Sequence, residues 1–143
     1  MLIEVKVKVS RIVNEKTRWV TETYLVDREL FSQAEYTVTQ TLEEEMSSNL
    51  IEDYTIQSLR MSSIKEIADQ FEGEHSFIAT LNDIFILTDS GLEKKLRYKV
   101  LLWANNLTEA NANAQQLARQ GYDMHIEGIK EVDYIYLSED EQE

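Results

Sequence analysis

The sequence predicts an α+β fold: a duplicated β-β-α-β unit with antiparallel hairpins, one helix per repeat packed on one sheet face, and a short extra helix between the repeats. Three observations carry this. Residues 3–13, IEVKVKVSRIV, alternate Val5, Val7 and Val9 with Lys6, Lys8 and Ser10, the period of a strand with one buried face. Residues 20–35, VTETYLVDRELFSQAE, run from a second alternating segment into a helix-start signal, Ser32 with Glu35 three positions on. The same grammar returns 76 positions later as LRYKVLLWANNLTEAN, residues 96–111. Only Leu25/Leu101 and Ala34/Ala110 are identical between these two stretches, so duplication rests on equivalent residue classes at equal spacing.

The elements follow in order. NEKT, residues 14–17, turns the first strand into a second over residues 17–26, which makes a hairpin of the N-terminus. A helix is expected from Ser32, with Ala34, Val38, Leu42 and Met46 as its buried stripe, and residues 53–61 read as a third strand. Ile64, Ile67, Ala68 and Phe71 have helical spacing, so a short helix stopped by Gly73 is expected there, with EGEH (72–75) as a linker. The second unit then runs through a strand at 76–87, a TDSG turn at 88–91 and a returning strand at 92–103. Its helix is expected to start at Thr108, carry Ala110, Ala114, Leu117 and Ala118, and end at Gly121, before a closing strand at 123–132. The expected boundaries are 1–72 for the first repeat with its connecting helix, 76–136 for the second and 137–143 for an acidic tail, all within one compact domain.

Composition removes several classes of function. With no cysteine there is no disulfide, no thiolate metal site and no cysteine nucleophile. His75 and His125 are the only histidines and share no ligand-spaced motif, Ser90 sits in ordinary turn chemistry, and the four glycines are scattered instead of forming a phosphate loop. No cofactor and no enzymatic activity are expected. The chain carries no apolar run near the length of a membrane span, so a cytoplasmic protein that does not engage a membrane is expected.

The net charge of −13 opposes binding of nucleic acid on average, but the charge is segregated. Lys6, Lys8, Arg11, Lys16, Arg18 and Arg28 lie early, Lys94, Lys95, Arg97 and Lys99 lie together, and no cation follows Lys130. If Val20, Tyr24 and Val26 face the helix-covered core, Trp19, Thr21 and Thr23 face away, with Lys95, Arg97 and Lys99 as their counterparts 76 positions on. Lys6 and Lys8 join that face from the first strand. The candidate nucleic-acid-binding set is therefore Lys6, Lys8, Trp19, Thr21, Thr23, Lys95, Arg97 and Lys99. Cations follow phosphates, and a flat ring accepts a stacked base. The bland alternative stays open: Lys, Thr and Arg are what any solvent-facing strand carries, and Trp19 can be covered by the other unit or a second chain.

The blocks EVKVKV (4–9), VTETYLVDRELFSQAE (20–35) and YTIQSL (54–59) make the chain resemble an uncharacterised family of small proteins from Bacteroidetes and their phages, crAss-like phages among them. Some phage members are regarded as single-stranded DNA-binding proteins of replication, so the resemblance implies that activity in an infected or uninfected bacterial cell. It supplies no established binding residues, and Trp103 stands where the first unit has Asp27 of YLVD. The expected partners are single-stranded DNA, and replication or host proteins met through the acidic tail or surface. An open sheet edge or an exposed Trp19 would favour a homodimer. The alternative reading is an acidic protein-interaction module, a phage accessory or host-takeover protein, with DNA mimicry as one form.

Overall fold

A computed structural model describes residues 1–87, 89–119 and 124–138, apart from the side chains of residues 85 and 86. In chain order the elements are β1 (Leu2–Val13), β2 (Lys16–Asp27), α1 (Phe31–Ser47), β3 (Ile51–Met61), β4 (Ile64–Ala68), β5 (His75–Ile86), β6 (Glu93–Ala104), α2 (Leu107–Ala118), β7 (Met124–Val132) and β8 (Ile135–Leu137). Among the described residues the protein is mixed α+β, with two helices and eight strands in two four-stranded sheets. Two compact units divide the chain, Met1–Ser62 with the segment from Tyr134, and Ser63–Asp133.

In the first unit the strand order is β3-β1-β2-β8. β1 and β2 form a long antiparallel hairpin whose two-residue turn places Asn14 at φ 52° and Glu15 at φ 66°. Two left-handed residues give the turn the twist that a right-handed hairpin needs; asparagine tolerates this conformation and glutamate is strained by it. Ile3, Val5, Val7 and Val9 of β1 and Tyr24 and Val26 of β2 pack under Ala34, Val38 and Leu42 of α1. Each aliphatic side chain buried there contributes about 1.5–3 kcal/mol, which fixes the register of the alternating strands. Beyond this apolar stripe Arg11 grips Glu22 with two hydrogen bonds of 2.5 and 2.6 Å and reaches Glu45 of α1 at 3.2 Å. Its bond to Glu22 holds the guanidinium firmly protonated, and burial pushes the neighbouring Tyr24 phenol well above its ordinary range.

In the second unit the order is β4-β6-β5-β7. Phe77, Ala79 and Leu81 of β5 and Val100, Leu102 and Ala104 of β6 pack under Ala110, Ala114 and Leu117 of α2. The two sheets share details of register. β3 is antiparallel to β1 and β7 to β5, and each pairing slips by one residue at a matching point, where Val7 meets Ile56 and Leu81 meets Ile126.

The chain crosses between sheets twice. β4 leaves the first hairpin's sheet and pairs in parallel with β6, and β8 leaves the second and pairs in parallel with β2. This overturns the short helix expected from Ile64 to Phe71. Ile64 and Ala68 are both buried in the observed strand, and an apolar run this short carries no period that separates strand from helix, so pairing to β6 decides. Gly73 is accordingly not a helix stop: a Cβ there would overlap the Ala104 backbone, so it is a close-approach glycine. β8 includes Leu137, which the sequence places in the acidic tail; residues 139–143, like Thr88 and Gly121, lie outside the described residues.

Both helix starts fall earlier than Ser32 and Thr108. The first cap position is Leu30, whose N–H donates to Gln33 Oε1 at 3.2 Å. The second is Asn106, whose Oδ1 accepts from Glu109 N at 2.8 Å. These two positions are 76 apart, the offset at which face positions of the returning strands also match, Thr21 with Arg97 and Thr23 with Lys99.

Candidate nucleic-acid interface

Residues directly opposite in an antiparallel pair share a sheet face. On the face of the first sheet away from α1, Lys6 stands opposite Thr23, Lys8 opposite Thr21 and Ser10 opposite Trp19. The predicted residues Lys6, Lys8, Trp19, Thr21 and Thr23 are thus brought together on adjacent strands. Lys6, Lys8 and Thr21 are exposed, Thr23 is half-buried, and Trp19 is 54% exposed.

On the corresponding face of the second sheet, Thr80 stands opposite Lys99, Asn82 opposite Arg97 and Ile84 opposite Lys95. Lys95 and Arg97 are exposed and Lys99 is half-buried. Arg97 is engaged, its Nε 2.7 Å from Glu127 Oε2 on β7. The two hairpins therefore carry the same two pairs of a cation opposite a polar uncharged side chain, with the strands exchanged. In the first the cations are on the leading strand, and in the second on the returning one. The eight predicted residues fall five on one sheet and three on the other.

Neither face is open along its whole length. Leu25 and Leu101, on these same faces, are fully buried, so the solvent-facing part of the first runs outward from Lys6 and Thr23. Trp103 is half-buried, its carbonyl oxygen accepting from Asn113 Nδ2 at 3.2 Å.

The outer strand β3 adds residues that the sequence reading left out. Ser58 pairs with Lys6 and Arg60 with Glu4. Arg60 Nε donates to Glu4 Oε2 at 2.8 Å and Ser62 Oγ to Glu4 Oε1 at 3.3 Å, so the buried carboxylate is held on both oxygens. That bond to Glu4 raises the Arg60 guanidinium further above its ordinary range. Glu4, Lys6, Thr23, Ser58, Arg60 and Tyr134 line a recess of about 190 Å³. The signal available was the alternation of Ser58 and Arg60 along β3; the missing information was its register against β1.

His75 opens β5, with Nδ1 3.5 Å from Glu131 Oε1, and His125 lies on β7. Among the described residues no group of three His, Cys, Asp or Glu side chains could hold a metal ion, and no helix is long and apolar enough to cross a membrane. Neither a curated protein nor a solved structure matches the chain. One family does: the sequence profile described as a domain of unknown function, DUF4494, matches residues 1–137. Since that match spans nearly the whole chain, including both hairpins and every strand that crosses between the sheets, the protein belongs to the DUF4494 family.

Proposed function

We propose that the chain is a duplicated, non-enzymatic module that binds single-stranded DNA through the faces of its two hairpins turned away from the helices, in the service of phage replication. The observation that carries this reading is the pairing of cations with hydroxyl or amide side chains across each hairpin, Lys6–Thr23 and Lys8–Thr21 in one, Lys99–Thr80 and Arg97–Asn82 in the other. Cations set apart by strand spacing suit successive phosphates, and the polar partners suit phosphate and sugar oxygens. The exposed ring of Trp19 at the end of the first set supports stacking of a base. Duplication is supported by the two strand orders, the matching slips beside Val7 and Leu81, and the helix starts 76 positions apart. The resemblance to phage proteins supports the biological setting.

The net charge of −13 works against encounter with DNA at long range, so affinity must come from short-range contacts. Binding of labelled oligo-dT followed by fluorescence anisotropy across a salt series tests this. The expected result is an affinity that falls as salt rises, with a log–log slope that Lys6→Gln with Lys8→Gln reduces in magnitude by about 1.4, at about 0.7 per phosphate contact. Absence of binding at low salt contradicts the reading. It would favour an acidic protein-interaction module, which the exposed Leu30, Phe31 and Tyr36 around the start of α1 support.

A further inference from the structure

The recess on the first sheet has a composition that plain phosphate tracking does not require. Glu4 lies at its base with its side chain 7% exposed, while Arg60, 73% exposed, reaches over the carboxylate. Lys6, Thr23, Ser58 and Tyr134 complete the lining. A site built only for phosphate gains nothing from a buried carboxylate, which repels an anion at any distance inside the recess. A carboxylate accepts about four hydrogen bonds, and the bonds from Arg60 and Ser62 take two. What Glu4 can add is acceptance from a neutral N–H donor of a ligand. Around it stand acceptor-seeking groups: the Lys6 ammonium, the hydroxyls of Thr23 and Ser58, and Arg60, which uses one of its five N–H donors on Glu4.

A ligand that presents an amino group to the floor and acceptors to the rim matches this set. At about 190 Å³, roughly six waters at about 30 Å³ each, the recess takes a fragment the size of one planar ring and not a whole drug-sized molecule. Tyr134 gives it an aromatic wall. Resting on the single-strand reading above, we propose that this recess seats one base of the bound strand and selects a base with an exocyclic amino group, cytosine above all, over thymine. Glu4 accepts from cytosine N4, the contact by which acidic side chains distinguish cytosine. Thymine puts a carbonyl at that ring position, and its oxygen would face the carboxylate with no proton between them. Lys6 and Arg60 hold the adjoining phosphate and the base's own acceptors. Glu4 and Arg60 form a pair in which the cation orients the carboxylate for this contact.

Oligo-dC and oligo-dT of equal length make the decisive comparison, since both are pyrimidines that differ at C4, amino against keto, at N3, acceptor against N–H donor, and in the thymine C5 methyl. Anisotropy titration at fixed salt is expected to show oligo-dC bound at least about fivefold more tightly, the lower bound for one good base contact. Glu4→Gln is expected to bring that ratio close to one, because the carboxylate that accepts from cytosine N4 is gone. Tyr134→Leu is expected to weaken oligo-dC binding more than oligo-dT. Equal affinity of the wild-type protein for the two strands overturns the inference, whatever the variants do, and leaves single-strand binding standing. Failure to bind either strand overturns the single-strand reading, and this inference falls with it.

Discussion

In the first unit the helix runs for 17 residues, Phe31–Ser47, and its far end meets a charged cluster; in the second it runs for 12, Leu107–Ala118, over a stripe made mostly of alanine. The strand orders correspond, so the difference lies in what fills the space between helix and sheet. At matching positions Val38 of α1 corresponds to Ala114 of α2, and Glu22 of β2 to Tyr98 of β6. The bulkier apolar stripe goes with the longer helix, whose last turns carry Glu45 to Arg11. The second helix has no such reach, and Tyr98 instead directs its hydroxyl to Met124 Sδ at 3.2 Å. One topology thus tolerates two interiors, because the hairpin register and strand ends are set by the sheet and not by the helix.

Five perturbations break or sharpen that contrast. The largest effect is expected at Leu42, fully buried in the first core: Leu42→Ala should lose about 2–5 kcal/mol in denaturant unfolding at unchanged slope. Trp19 and Trp103 report one on each unit. Since Leu42 belongs to the first core, the Trp19 transition should move to a lower midpoint, and an unmoved Trp19 transition would contradict that placement. The opposite change in the second unit, Ala114→Val, imports the volume of Val38 into a fully buried site. It should lose about 1–3 kcal/mol by overpacking.

The charged cluster comes next. Arg11→Met leaves Glu22 and Glu45, each about four-fifths buried, facing one another without their shared cation. A loss of about 1–3 kcal/mol is expected, with Glu22→Gln in the same background recovering part of it. At the helix starts the contrast can be reversed. Asn106→Ala should lose about 1 kcal/mol by removing the acceptor of Glu109 N, and Leu30→Asn should gain a few tenths by supplying one at the matching position.

The smallest effect is one of pH. The Tyr54 phenol donates to Glu43 Oε1 at 2.6 Å, and that bond pushes it up to about 12 from an ordinary 10.0. A phenol whose folded value is raised favours the protonated native state. Its contribution is whole below about pH 10 and disappears as pH rises through about 12. Near-ultraviolet titration should show a late-ionising tyrosine that Tyr54→Phe removes, and a titration identical in both proteins would contradict the contact.

Much of the fold was legible in the sequence because it rests on local periods. Val5, Val7 and Val9 announced β1, and Ala34, Val38 and Leu42 announced the buried stripe of α1. The exchange of β4 and β8 was not legible. Five and three residues long, with neighbours supplied by the distant hairpin, these strands owe their conformation to pairing and not to pattern. The caps were misplaced for a related reason: Ser32 and Thr108 satisfy the chemistry of a cap, but the strand ends at Asp27 and Ala104 bring the chain into the helix two residues sooner. In the candidate site, alternation put Lys6, Lys8, Trp19, Thr21 and Thr23 on one face. Glu4, Ser58, Arg60 and Tyr134 needed the register of β3 and the return of the chain beside β2, which no local pattern encodes.

The most direct test of the account follows the two indole N–H signals in a nitrogen–proton correlation spectrum as unlabelled oligonucleotide is added, with Trp19→Phe making the assignment. The Trp19 signal is expected to move together with the amides of Lys6, Lys8, Thr21 and Thr23, while the half-buried Trp103 signal stays in place. Shifts confined to the start of α1, around Phe31 and Tyr36, or a spectrum unchanged at saturating oligonucleotide and low salt, would contradict it.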